Sequence, residues 1–170
     1  MEHVKVLDRS VPITAVGYDL VVAPCNQTLA VSGIHSAIPM VISEHRYLLG
    51  QQGKIRDENP IIRSGDTFVV ANERPQLPDL LYAVLAMASE VEPEKQLERF
   101  YTNLLEKAVM LGAKTIGIPS LSTGIFGYPE RLVVDVGKLT FLKFKQFDRI
   151  GMHCYNDSYY KLFSEQTEVQ

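Results

Sequence analysis

The residues best suited to hold a charged ligand stand in one run, Pro119-Ser120-Leu121-Ser122-Thr123-Gly124-Ile125-Phe126-Gly127-Tyr128-Pro129. The run follows a strand-like segment and precedes a helix-like one. In an open α/β sheet, ligands bind beyond the carboxyl ends of the strands. Glycines at such a place let backbone N–H groups approach a phosphate closely and take positive φ. Ser122 and Thr123 add hydroxyl donors, and the N-terminus of the next helix favours an anion. Phe126, between two glycines, has two readings: its ring lies against a sugar or base, or it is tucked into the core of a tight connection.

A second segment has the same character. Asp19-Leu20-Val21-Val22-Ala23 runs into Pro24-Cys25-Asn26 and then Ser32-Gly33-Ile34. Asn26 offers a donor and an acceptor, which suits a ribose diol, or it shapes a loop. Asp19 accepts from an exocyclic amine, or it caps a turn ahead of the strand. His35 lies in this loop. Of the other histidines, His3, His45 and His153 are scattered, and His153 falls in a strand-like run that suggests packing. The sequence contains no G-x-G-x-x-G, no G-x-x-x-x-G-K-[ST], no G-x-S-x-G and no H-E-x-x-H, so the usual dinucleotide, P-loop, hydrolase-elbow and zinc-protease signatures are excluded.

The elements that must position these segments follow from periodicity and punctuation. Residues 4–7, 19–23, 67–71, 80–87, 115–118 and 149–155 read as strands, with Pro24 ending the second and Pro119 the fifth. Residues 41–50 read as a helix and 51–60 as a polar surface connection broken by Gly53, Asn59 and Pro60. The clearest helix covers 93–111, where Leu97, Phe100, Leu104, Ala108 and Leu111 recur at three- and four-residue steps. Glu92 and Glu94 suit its positive end and Gly112 its cap. Pro129 and Glu130 open another helix to about Lys145, and Asn156-Asp157-Ser158 caps a short last one. The strand–helix alternation of the second half argues for a mostly parallel sheet flanked by helices.

The 170 residues are 46% hydrophobic and 22% charged, with a net charge of −3. That is one globular domain, expected over residues 1–165 with a polar tail at 166–170. An acidic balance disfavours duplex DNA. Two cysteines, Cys25 and Cys154, without a C-x-x-C pair give no zinc framework and read as small buried hydrophobes in a reducing compartment. Met1-Glu2-His3-Val4-Lys5 does not read as the start of a signal peptide, and no apolar stretch approaches the ~20 residues of a membrane span. The expected location is cytoplasmic or nuclear.

Taken together, the two ligand-suited segments resemble the macro-domain family. That family opens its first motif with a strand beginning in Asp, then Asn-Ala-Ala-Asn, a glycine run, Val and an Ala-Ile pair. Here the positions read Asp19 through Asn26, then Ser32-Gly33-Ile34-His35-Ser36-Ala37-Ile38. The second motif, Pro-x-[Ile/Leu]-Ser-[Thr/Ala]-Gly-Ile-[Phe/Tyr]-Gly, is met almost in full by residues 119–127.

The resemblance implies a three-layer α/β/α sandwich with a central mixed, mostly parallel sheet of about six strands, and a cleft for ADP-ribose, free or attached to protein. By carry-over, Asp19 meets the adenine amine, with Leu20 beside it, and Asn26 faces the distal ribose. Ser32, Gly33 and Ile34 form one wall of the pyrophosphate site. Ser122, Thr123, Gly124, Ile125 and Phe126 form the other, and Tyr155 and Asn156 lie near the adenine.

The chain departs from the pattern at Ala23, which replaces the first Asn, at Ser32, which replaces a glycine, and at His35, which stands where several hydrolytic members carry an acid. Three functions follow. The first is a reader of ADP-ribose. The second is a hydrolase that removes mono-ADP-ribose from protein or processes ADP-ribose-1''-phosphate, with Asn26, His35 and Phe126 positioning a water and no metal or cofactor. The third is an interaction module for protein, single-stranded RNA or poly(A).

Overall fold

The β-branched and apolar runs assemble into one sheet. The computed structural model describes residues 2–29, 45–71, 78–90, 92–121 and 126–165. Among these, six strands form: β1 (Val4–Leu7), β2 (Leu20–Cys25), β3 (Thr67–Val70), β4 (Asp79–Val84), β5 (Thr115–Pro119) and β6 (Arg149–His153). Their order is β1-β6-β5-β2-β4-β3. Every neighbouring pair is parallel except β3, which runs antiparallel to β4.

Alternation along the strands divides the interior into two cores, as a period of two requires. From β2 and β4, Leu20, Val22, Leu81 and Ala83 face one side; Val21, Ala23, Cys25, Leu80, Tyr82 and Val84 face the other. Helices α2 (Pro93–Met110), α3 (Glu130–Lys143) and α4 (Asp157–Ser164) cover the first side through Leu97, Phe100, Leu104, Val133, Phe141, Tyr159 and Phe163. Helix α1 (His45–Glu58) covers the second through Ile55, joined by Ile13 and Tyr18 from the connection between β1 and β2. The result is the three-layer α/β/α sandwich with a mixed sheet.

Helix ends follow the sequence signals. Gly112 (φ 77°) ends α2 in a left-handed turn in which its N–H donates to the Val109 carbonyl and the Ala113 N–H to that of Ala108. This double closure is the Schellman arrangement, for which glycine pays no Cβ penalty. Asn156 caps α4, its side-chain oxygen accepting from the Tyr159 N–H at 2.8 Å.

Three boundaries differ from the expectation. Pro24 lies inside β2 rather than ending it. The ladder from β2 to β5 covers only Leu20 and Val21, while that to β4 runs through Cys25. A residue lacking an N–H is therefore tolerated where the strand has one neighbour left to satisfy. Residues 51–58, expected as a surface connection, continue α1. Gly50 and Gly53 cost helix stability but do not break it, because Gln52 and Ile55 pack inward. Strand β4 stops at Val84, short of Met87.

On the α1 side, Tyr18 lies flat over β5 and β6 where two side chains would otherwise stand. A Cβ on Gly117 would come within 2.6 Å of its ring, and one on Gly151 within 1.8 Å of its hydroxyl. The Tyr18 hydroxyl bonds to His153 Nε2 at 2.7 Å, and His153 Nδ1 reaches the Val11 carbonyl at 3.2 Å. Burial holds the Tyr18 phenol up at about 12, so it stays protonated and donates to Nε2. The imidazole is then neutral, with its proton on Nδ1 facing Val11.

Burial lowers the His153 pKa from 6.5, partly opposed by the Val11 carbonyl. The unfolded chain therefore takes up a proton at higher pH than the folded one. This group's contribution to stability is intact above about pH 6.5 and shrinks as pH falls toward the lowered folded value. Melting temperatures of the wild type and of His153→Gln should converge between pH 7.5 and 5.5. A gap that stays constant across that range would rule out this titration.

Candidate functional site

A parallel sheet of this order has a topological switch. From β2 the chain goes on toward β4 and β3, whereas from β5 it goes on to β6 on the other side. The two connections part between β2 and β5, and the carboxyl edge at such a point is where ligands of doubly wound folds bind. Both ligand-suited segments issue from this place: residues 26–29 leave β2, and residues 120–121 leave β5.

The β2 exit is a shaped turn. Asn26 Oδ1 accepts from the Thr28 N–H at 2.9 Å and from its hydroxyl at 2.6 Å, while the Asn26 carbonyl accepts from the Leu29 N–H at 2.9 Å. Leu29 takes φ 62° with its side chain wholly buried, a backbone state uncommon for a residue other than glycine. Its carbonyl accepts from Gln52 Nε2 at 3.3 Å, and Arg56 donates to the Thr28 carbonyl at 2.9 Å, so α1 braces the turn.

At the β5 exit, Ser120 is fully buried. Its N–H donates to the His153 carbonyl at 2.8 Å, and its hydroxyl accepts from the Tyr155 N–H at 3.1 Å. Past residues 122–125 the chain returns at Phe126 and Tyr128, and the Tyr128 hydroxyl donates to the Ala86 carbonyl beyond β4 at 2.6 Å.

The expected residues divide accordingly. Asn26, Tyr155 and Asn156 stand at the carboxyl edge. Tyr155 is 38% exposed with its ring 5.5 Å from that of Tyr159, while the side-chain oxygen of Asn156 serves the α4 cap. Ser32, Gly33, Ile34, His35, Ser122, Thr123, Gly124 and Ile125 lie outside the described residues.

Two residues are corrected. Asp19 stands at the opposite, amino edge, where Oδ2 accepts from the N–H groups of Lys114 (2.8 Å) and Thr115 (3.1 Å) and caps the entry to β5. Six residues of strand at ~3.3 Å each separate that edge from the carboxyl edge, so Asp19 does not reach a ligand held there. Leu20 is likewise at the amino end and belongs to the core under α2 and α3. Phe126 is 2% exposed and packed in the same core. Asp19→Ala should lower stability by about 1 kcal/mol through the lost cap and leave ligand affinity within two-fold of wild type, checked by thermal melting alongside titration.

Residues with no role of their own in the sequence reading are Ser120, Tyr128 and Met87. Met87 is 47% exposed just beyond β4, an apolar side chain on the same edge. Their signal is position alone, since each lies within three residues of a strand exit or of the motif. Among the described residues, no three His, Cys, Asp or Glu side chains are grouped to hold a metal ion, and no helix is long and apolar enough to cross a membrane.

The strand order and the helices on both faces define an open α/β domain with its switch between β2 and β5. A family profile described as Macro domain matches residues 24–136. The chain belongs to the macro domain family. An uncharacterized protein of Sulfurisphaera tokodaii is 35% identical over 77 residues, 43% of this chain and 42% of that protein. The O-acetyl-ADP-ribose deacetylase of Enterobacter sp. is 26% identical over 163 residues, 89% of this chain and 87% of its own length. Among solved structures, the Trypanosoma brucei macrodomain in complex with ADP-ribose superposes with a TM-score of 0.78 at 20% identity, covering 95% of this chain and 67% of that one.

Proposed function

We propose that this domain binds ADP-ribose, free or attached to protein, in the crevice between the β2 and β5 exits. The observation that carries the reading is the departure of both ligand-suited segments from adjacent carboxyl ends at the switch point. Residues 32–34 on one side and 122–125 on the other form the diphosphate walls. Asn26 shapes the first loop at its root. Tyr155 and Asn156 flank the nucleoside. The solved macrodomain that holds ADP-ribose supports this choice of ligand.

Calorimetric titration with ADP-ribose, with AMP and NAD as controls, tests it. Micromolar affinity that prefers ADP-ribose is the expected result. No heat with ADP-ribose would reject the ligand and turn the search to protein or RNA partners.

A second reading, hydrolysis of an ester or glycosyl bond on ADP-ribose, is favoured by similarity across 89% of the chain to an O-acetyl-ADP-ribose deacetylase. In it the loops align the substrate against a water, and positioning supplies the acceleration. Incubation with O-acetyl-ADP-ribose and with ADP-ribosylated protein, followed by mass spectrometry of the products, separates a reader from a hydrolase.

A further inference from the structure

Neutral hydrogen bonds tie neighbouring strand exits together across the carboxyl edge. The exits of β5 and β6 are joined twice at Ser120, once through its N–H to the His153 carbonyl and once through its hydroxyl, which accepts from the Tyr155 N–H. The exit of β4 is held on two sides, by the Tyr128 hydroxyl on the Ala86 carbonyl and by the Ala86 N–H on Ser64 Oγ at 3.0 Å. The Leu85 N–H donates to the Cys25 carbonyl at 2.9 Å and joins β4 to β2. Ser120 and Tyr128 are both buried, at 0% and 1% exposure, so these bonds are made out of competition with water and are costly to leave unmade. The two residues also bracket the segment 122–127: Ser120 stands just before it and Tyr128 just after.

We propose that Ser120 and Tyr128 are positioning residues that act on different halves of the ligand. Ser120 fixes the backbone of Tyr155, and with it the wall beside the nucleoside. Tyr128 ties residues 126–128 to the β4 exit, and with them the side of the site proposed for the diphosphate and distal ribose. The inference rests on the ADP-ribose reading.

The division of labour gives a signature that a merely structural role lacks. Tyr128→Phe should weaken ADP-ribose about ten-fold and leave AMP within two-fold, because AMP lacks the distal half. Ser120→Ala should weaken both ligands about five- to ten-fold, the loss expected of one hydrogen bond. Titration of the wild type and both variants, with thermal melts alongside, reads this out.

The idea is overturned if wild type binds ADP-ribose and both variants match it. It is also overturned if both variants lose both ligands by one common factor that tracks their loss of thermal stability. Failure of the wild type to bind would reject the ligand reading on its own. Amide hydrogen exchange then decides the positioning role without any ligand. Ser120→Ala should speed exchange of the Tyr155 N–H at least ten-fold while amides in the middle of β5 stay protected. An unchanged Tyr155 rate would sink the clamp.

Discussion

Gly151→Ala should destabilise the domain by about 3 kcal/mol, although it adds a single methyl group. The new Cβ would stand 1.8 Å from the Tyr18 hydroxyl and 2.5 Å from the ring carbon that bears it. The ring is rigid, 4% exposed, and pressed equally close to Gly117 on the next strand. Tyr18 must therefore swing out as a body, which loses its burial and its bond to His153. Overpacking of this kind costs about 1–3 kcal/mol, and the hydrogen bond about 1 more. Against a total of about 5–15 kcal/mol that is a large share, and it predicts a fall in melting temperature of roughly 10 °C.

The control lies in the same chain. Gly53 is inside α1, and a Cβ there meets nothing within 4 Å. Gly53→Ala should instead stabilise by about 0.5–1 kcal/mol. Opposite signs for two Gly→Ala changes would support the Tyr18 bridge. Equal, small effects would disprove it.

The largest effect on ligand binding is expected from Gly124→Val. The residue is the central glycine of the segment between Ser120 and Tyr128. If the backbone of that segment cradles the diphosphate, a branched side chain holds the phosphate away from the N–H groups. ADP-ribose affinity should fall about 100-fold or more, roughly 3 kcal/mol. Thermal stability should change little. Binding that survives the substitution would place the ligand elsewhere on the protein.

The sequence carried the layout of the fold because its local signals agree. The three- and four-residue steps from Leu97 to Ala108 recur as the buried face of α2. The asparagine before Asp157 is the cap it resembles, and the final strand–helix alternation became the parallel half of the sheet. It failed where a local rule was overridden by tertiary contact. Pro24 survives inside β2 because its neighbour β5 has already left the ladder. The second half of α1 survives two glycines because Gln52 and Ile55 are buried.

The site was legible as two loops but not as a set of side chains. Asp19 was matched by residue type, while its place at the start of a strand already put it at the wrong end of the sheet. Phe126 had two readings, and its ring packs in the core. Ser120 and Tyr128 carry no compositional signal, since a serine and a tyrosine beside a glycine loop acquire a role only once β4 and β6 are known to lie on either side.

The pairing of β1 has a consequence for how the chain is made. Val4–Leu7 are synthesised well before Arg149–His153, their hydrogen-bonded neighbour in the sheet. While the ribosome is still extending the middle of the chain, this first strand has an open edge and no lawful place to dock. Loop closure over so long a span is slow, and the waiting strand is meanwhile exposed to wrong partners. Its charged Lys5, pointing outward between Val4 and Val6, interrupts what would otherwise be a continuous adhesive strip during that delay.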